Sequence, residues 1–463
     1  MTESTATPSP LTVLRSPNGH VEWHPGTVPI VICVPHDGQQ EADHLPDRPR
    51  GVHEPDRNTR AAALAISESF RNSRKIAAFF FGEAVTDQQQ AVPHLIISNL
   101  PRSKLDPNRS IGEAAQGLPD ASRAWYAYHS YIERAKQLAY RQTLSLCSAS
   151  PAARLHLARG IGPCWPPRVL LIDLHGQSHP EDWLEVGYCI PAHGLRDIRQ
   201  ASLTAATPEA SPFRLYHLLD IVRNTSVRAA IEDECLATAI ETIIDRNHHS
   251  DLCPESVQAT AKRIWCLLGG CRSLGSHIAA RGWRAVPSLE DALPFGKAPA
   301  KTGAGVEPAT PPAMTVAMGP AGLSPSDPPL PGVPCMSGGT PTTTCNYFFG
   351  GYTSIRHGSM SSPSRASRCS FSRPGLDGLP QQPLAEGEAI DRSHNISCVS
   401  VCDAYQVELS PRCRDPSNIA NFSRDFSFAV AEFYAKNYLS PSFNLVDEKC
   451  RCPTGGPEPV TGQ

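Results

Sequence analysis

The sequence predicts an α/β fold with a mainly parallel central sheet flanked by helices. Residues 28–34 and 169–174 are short apolar runs between turn signals, the pattern of strands buried on both faces. Each opens onto a turn carrying a histidine and a glycine, Pro35-His-Asp-Gly38 and His175-Gly176. Strand-like and helix-period stretches then alternate up to about residue 290, as in βαβ architecture.

Taken in order, residues 1–26 read as a flexible lead-in and 28–34 as the first strand. Residues 38–55 are polar and Pro-rich, a loop over the sheet end. Asp56 suits the N-cap or first turn of a helix over 61–70. Residues 75–84 and 94–100 are further strand candidates. A helix over 121–145 carries an apolar stripe of Trp125, Tyr128, Ile132 and Leu138, and His129 within it reads as a helix histidine near the core edge. Residues 185–190 are strand-like, 227–245 and 273–280 helical, 404–409 a strand and 418–438 a helix.

Between these pieces, 297–345 is dominated by Ala, Pro, Gly, Thr and Ser, and 361–397 by Ser, Pro, Arg and Gly. Such composition buries too little apolar area to offset the entropy of ordering, so both read as disordered insertions. The expected organisation is one domain assembled from 27–296 and 346–440, with a flexible tail over 441–463.

A formal charge of -3 with 19% charged residues gives no basic surplus for nucleic acid. No signal-peptide pattern opens the chain and no apolar run has the length of a membrane span, so a cytoplasmic protein without membrane contact is expected. The 16 cysteines are scattered; the closest pairs, Cys398/Cys402 and Cys450/Cys452, lack zinc-finger partners, and the thiols read as reduced.

Ligands in open α/β sheets bind beyond the carboxyl ends of the strands, which is where His36 and His175 fall. The motifs around them resemble the N-formylglutamate amidohydrolases, a family whose fold is akin to the zinc carboxypeptidases. The resemblance rests on Val34-Pro-His-Asp-Gly38, Asp56-Arg-Asn-Thr59, Arg102 with Leu105-Asp-Pro-Asn-Arg109, Asp173-Leu-His-Gly176, and Ser273-Leu-Gly275 with Gly282-Trp-Arg-Ala-Val-Pro-Ser288. Gly350-Gly-Tyr352 with Arg356-His-Gly358, then Gln406-Val-Glu-Leu409, complete the series. These motifs, in order over roughly 28–295 and 346–438, are together more specific than any one alone.

The resemblance implies one Zn2+ ion and hydrolysis of an N-acyl amino acid, with N-formyl-L-glutamate as the type substrate giving formate and glutamate. A catalytic zinc takes three N or O ligands and keeps one position open for water. His36, His175 and a carboxylate would supply that set. Carboxypeptidase-like spacing places Glu three residues after the first His, but Gln39 stands there; Asp56 is therefore the expected third ligand, with Glu41 and Glu54 as alternatives.

The resemblance implies the role of general base for Glu408, and Arg109 would stabilise charge developing on the carbonyl oxygen. Arg102, Asn108 and Arg356 would hold substrate carboxylates, and Tyr352 and His357 would cover the substrate. His179 reads as a supporting residue rather than a ligand. The rival readings are a carboxypeptidase-like or peptidoglycan-type amidase acting on a short peptide, and a non-catalytic binding protein on the same fold.

Overall fold

A computed structural model describes residues 12–149, 168–179, 182–190, 192–203, 254–290, 335–337, 340–343, 348, 350–358 and 402–439. Its frame is an eight-stranded mixed sheet: β1 (Leu14–Arg15), β2 (Val21–His24), β3 (Ile30–Val34), β4 (His94–Ser98), β5 (Val169–Gly176), β6 (Leu184–Gly187), β7 (Ala285–Val286) and β10 (Cys402–Leu409). The order is β1-β2-β4-β3-β5-β10-β6-β7. The four central strands, β4-β3-β5-β10, are mutually parallel, and the antiparallel pairings lie to either side of them.

Helices cover both faces. The alternating side chains of the central strands divide into two cores. On one face, Ile30, Ile32, Ile172, Leu174, Tyr405 and Val407 pack under α1 (Thr59–Asn72) and α10 (Ile419–Tyr434), which contribute Ala62, Ile66, Phe70, Phe422, Phe426 and Phe433. On the other, Val31, Cys33, Leu171 and Ala404 meet α4 (Pro119–Ala149) through Ala124, Trp125, Tyr128, Ile132 and Ala135. Leu138, assigned to that stripe from the sequence, is exposed; Ala135 and Ala139 continue it instead.

Three further expectations change. The lead-in is not wholly loose, since β1 and β2 extend the sheet, with Val21 and Trp23 buried on one side while Glu22 pairs with Arg60 on the other. Residues 75–84 do not form a strand: Ser73 caps a helix, α2 (Arg74–Phe81), by accepting from the Ile76 amide, and Ile76, Ala77 and Phe80 turn one helical face into the core. Asp56 does not cap α1. The N-cap is Asn58, in the left-handed region at φ 67°, which frees the Asp56 carboxylate for the site below.

The last helix passes from α into a π turn at Ala435–Leu439. Within 297–345 the described residues form only a short antiparallel pair, β8 (Cys335–Ser337) with β9 (Thr340–Thr343). The helix expected over 227–245, the 361–397 insertion, the 441–463 tail, Cys398, Cys450 and Cys452 lie outside the described residues. The remaining helices are α3 (Ile111–Ala114), α5 (Ala192–Leu203), α6 (Pro254–Leu268), α7 (Leu274–Ala279), α8 (Tyr352–His357) and α9 (Pro411–Arg414). Among the described residues, no helix is long and apolar enough to cross a membrane.

Candidate metal centre

The face of the sheet that meets α4 changes character along its strands. On β5 it reads Val169, Leu171, Asp173, His175, and on β10 Cys402, Ala404, Gln406, Glu408. Both strands begin apolar and end polar, so the apolar half anchors a polar carboxyl end. Register aligns the polar rungs, setting Asp173 beside Gln406 and placing Glu408 between His175 on β5 and Glu185 on β6. All five of these side chains are buried.

His36, just past β3, and Asp56, just ahead of α1, complete the centre. His36 Nδ1 and His175 Nδ1 lie 3.1 and 3.0 Å from the same oxygen, Asp56 Oδ2, which also accepts from the Gly176 amide at 3.2 Å. One ligand atom from each of His36, Asp56 and His175 falls within 4.8 Å of the others, a set that could hold a metal ion. The far nitrogens are engaged separately, His36 Nε2 with Asp106 Oδ1 at 2.7 Å and His175 Nε2 with Asp173 Oδ2 at 3.0 Å. With each Nε2 directed at a carboxylate, Nδ1 is the inward-facing nitrogen of both rings, the orientation that metal-ligating histidines adopt.

Electrostatics point the same way. The buried carboxyl groups of Asp37, Asp56, Asp106, Asp173, Glu185 and Glu408 crowd this end of the sheet. Burial opposes ionisation of Asp56 and Asp106, yet His36 and its neighbours hold both below the usual carboxylate range. Burial also depresses His175, but Asp173, Asp56 and Glu408 together carry it well above the ordinary imidazole value. The fold thus stabilises positive charge between the two rings. Glu408 goes the other way, pushed up to about 7 by burial and by Asp56 and Glu185, against the pull of His175 and a 2.7 Å hydrogen bond from Gln406.

Glu41 and Glu54, the alternative ligands, are exposed and stand outside the cluster, as does Gln39. The Arg102 guanidinium donates to Asp56 Oδ1 at 3.1 Å and Asp106 Oδ2 at 3.3 Å. Asn108 is likewise occupied, with its amide nitrogen 3.2 Å from His175 Nε2 and its oxygen accepting from the Thr353 amide. His357 is buried with one ring nitrogen on Glu133 and the other on His129.

Arg109 and Arg356 differ. Arg109 is half-buried and donates to the Asn108 carbonyl, with no salt bridge to a carboxylate among the described residues. Arg356 lies 4.9 Å over the Trp125 ring and bonds the Tyr352 hydroxyl, leaving a guanidinium held flat on aromatic faces. The 350–358 arm that carries it approaches the centre closely. A Cβ at Gly351 would sit 2.5 Å from both Asn108 Nδ2 and Gln406 Oε1, so only glycine fits there. His179 stacks on Phe348 and bonds Glu185 Oε1 at 2.7 Å, outside the ligand group.

Asp106, Asp173, Glu185, Gln406 and His129 were not assigned roles from sequence. Asp106 stood inside a quoted motif, and Asp173 and Gln406 each precede a site residue by two, the same-face spacing of a strand. Glu185 carried no such signal. No protein-family model, no curated protein and no solved structure matches the chain.

The orienting carboxylates can be tested apart from the ligands. Asp106→Asn removes the charge that fixes His36 and is expected to weaken metal binding about 10- to 100-fold, measured by competition with a coloured chelator.

Proposed function

We propose that the chain is a zinc-dependent amidohydrolase that cleaves the acyl group from an N-acyl amino acid, with N-formyl-L-glutamate as the type substrate. The observation that carries this reading is the adjacency of a two-histidine, one-carboxylate group to Glu408, a buried acid held near neutrality beside His175. That pairing of ligands with a proton-transferring group is what hydrolysis of an unactivated amide at neutral pH requires.

His36, Asp56 and His175 would hold the ion, all three donors being of the kind zinc takes. When bound, zinc supplies Lewis acidity, activating water for attack and polarising the scissile carbonyl. Glu408 accepts the proton that water gives up and returns it to the departing amine, its buried position beside His175 in register suiting it to both. Arg109 stabilises negative charge growing on the carbonyl oxygen. Arg356 receives the substrate carboxylate, its guanidinium steadied by Trp125 and Tyr352, and Tyr352 covers the bound acyl-amino acid. Arg102 and Asn108 keep the ligand carboxylate and imidazoles aligned rather than touching substrate.

The test is formate release from N-formyl-L-glutamate, run beside N-acetyl amino acids and short peptides. The reading expects hydrolysis of an acyl-amino acid that a chelator abolishes and added zinc restores. Zinc-loaded protein inert toward every acyl-amino acid would exclude it.

A further inference from the structure

His129 on α4 lies outside the ligand group, yet it is buried and bonded on both ring nitrogens. The directions of those bonds can be worked out. The Pro107 carbonyl only accepts, so His129 donates to it from Nε2 at 3.2 Å. His129 is held neutral, because burial and then His357 and Arg356 push its pKa well down. Its Nδ1 lies 2.7 Å from His357 Nε2. His357 Nδ1 in turn lies 2.6 Å from Glu133 Oε1. The stacked rings, 5.0 Å between centroids, link Glu133 to the Pro107 carbonyl.

Pro107 is the middle of a three-residue loop in which every residue has a task. Asp106 accepts from His36 Nε2, the Pro107 carbonyl accepts from His129, and Asn108 contacts His175 Nε2. The arm is fastened to that same loop twice, by the Thr353 amide on Asn108 Oδ1 at 2.8 Å and by His357 through His129. Loop 106–108 thereby joins both imidazoles of the centre to the segment bearing Tyr352 and Arg356.

We propose that His129 is a positioning residue for the metal centre, locking loop 106–108 and arm 350–358 into one unit that aligns His36 and His175 for a divalent cation. This rests on reading His36, Asp56 and His175 as metal ligands, and on no particular substrate. Coupling of this kind is reciprocal: the closed arm tightens cation binding, and the bound cation tightens the arm.

Cobalt(II) and zinc(II) alone serve as probes on the full chain. His129→Leu leaves the Pro107 carbonyl without its donor and is expected to lower cobalt affinity at least about tenfold, with an altered visible spectrum. His129→Gln, whose amide can still donate to Pro107, restores both. In the unsubstituted protein, zinc is expected to slow amide hydrogen exchange across 351–358 at least about fivefold. A His129→Leu protein with the parent's cobalt affinity and spectrum overturns the proposal. So does arm exchange that is unchanged by zinc in protein that binds it, and this second measurement decides alone if the leucine variant does not fold. Absence of any cation binding by the parent overturns the ligand assignment and this inference together; binding without coupling overturns only the latter.

Discussion

Replacing Glu408 with Gln is expected to lower turnover of an N-acyl amino acid by about 100- to 10,000-fold, the range of a lost acid–base group, while leaving metal content at the parent's level. The side chain is buried, matched in shape by Gln, and lies next to His175 in register without belonging to the ligand group. Loss of metal together with activity would instead make Glu408 a ligand, and full activity would remove it from the chemistry.

The same substitution has an opposite effect on stability. Burial raises the Glu408 pKa from 4.5 to about 7 in the folded, metal-free chain, so the folded state holds a proton there that the unfolded chain has released. Stability from this group is complete below pH 4.5 and is lost as pH rises through 7, at most about 3 kcal/mol in all. Gln mimics the protonated acid at every pH. Metal-free Glu408→Gln protein is therefore expected to melt above metal-free parent at pH 8 and level with it at pH 4. Equal melting at both would mean that Glu408 is better solvated than its position implies.

Removing a ligand has the second large effect. His175→Ala takes away an inward-facing nitrogen and also the cationic partner of Asp56 and Asp173. Metal affinity is expected to fall by more than the roughly 100-fold that an orienting neighbour supplies. The metal-free fold should lose about 3–5 kcal/mol, the cost of leaving buried carboxylates unpaired. His36→Ala should behave alike, since its two nitrogens bond Asp56 and Asp106. Chelator competition and thermal melts measure the two effects separately; unaltered affinity in either variant would remove that histidine from the ligand set.

The strands that build the site were legible because burial on both faces leaves continuous apolar runs, as in β3 and β5, and because polar residues replace apolar ones at alternate positions near their ends. The two histidines and Asp56 could be named from that pattern together with motif order. What sequence could not show was orientation. Arg102, Asn108 and His357 bond Asp56, Asp106, His175, Glu133 and His129 within the protein, contacts that no spacing in the sequence reports. Those partners lie up to 228 residues away in the chain.

Local propensity failed differently at α2. Its apolar run is as strand-like as β4 until the Ser73 cap and the i, i+4 pairing of Ile76 with Phe80 are seen to win. Short β1 and β2 went unseen because their stability comes from pairing, β1 with β2 and β2 with β4, not from their own pattern.

The most direct measurement is metal stoichiometry in the purified chain and in a His36→Ala, His175→Ala double variant, by elemental analysis after dialysis against zinc. One ion per parent chain and none in the double variant is the predicted result. A parent chain that retains no metal, or a double variant that keeps it, would contradict the centre assigned to His36, Asp56 and His175.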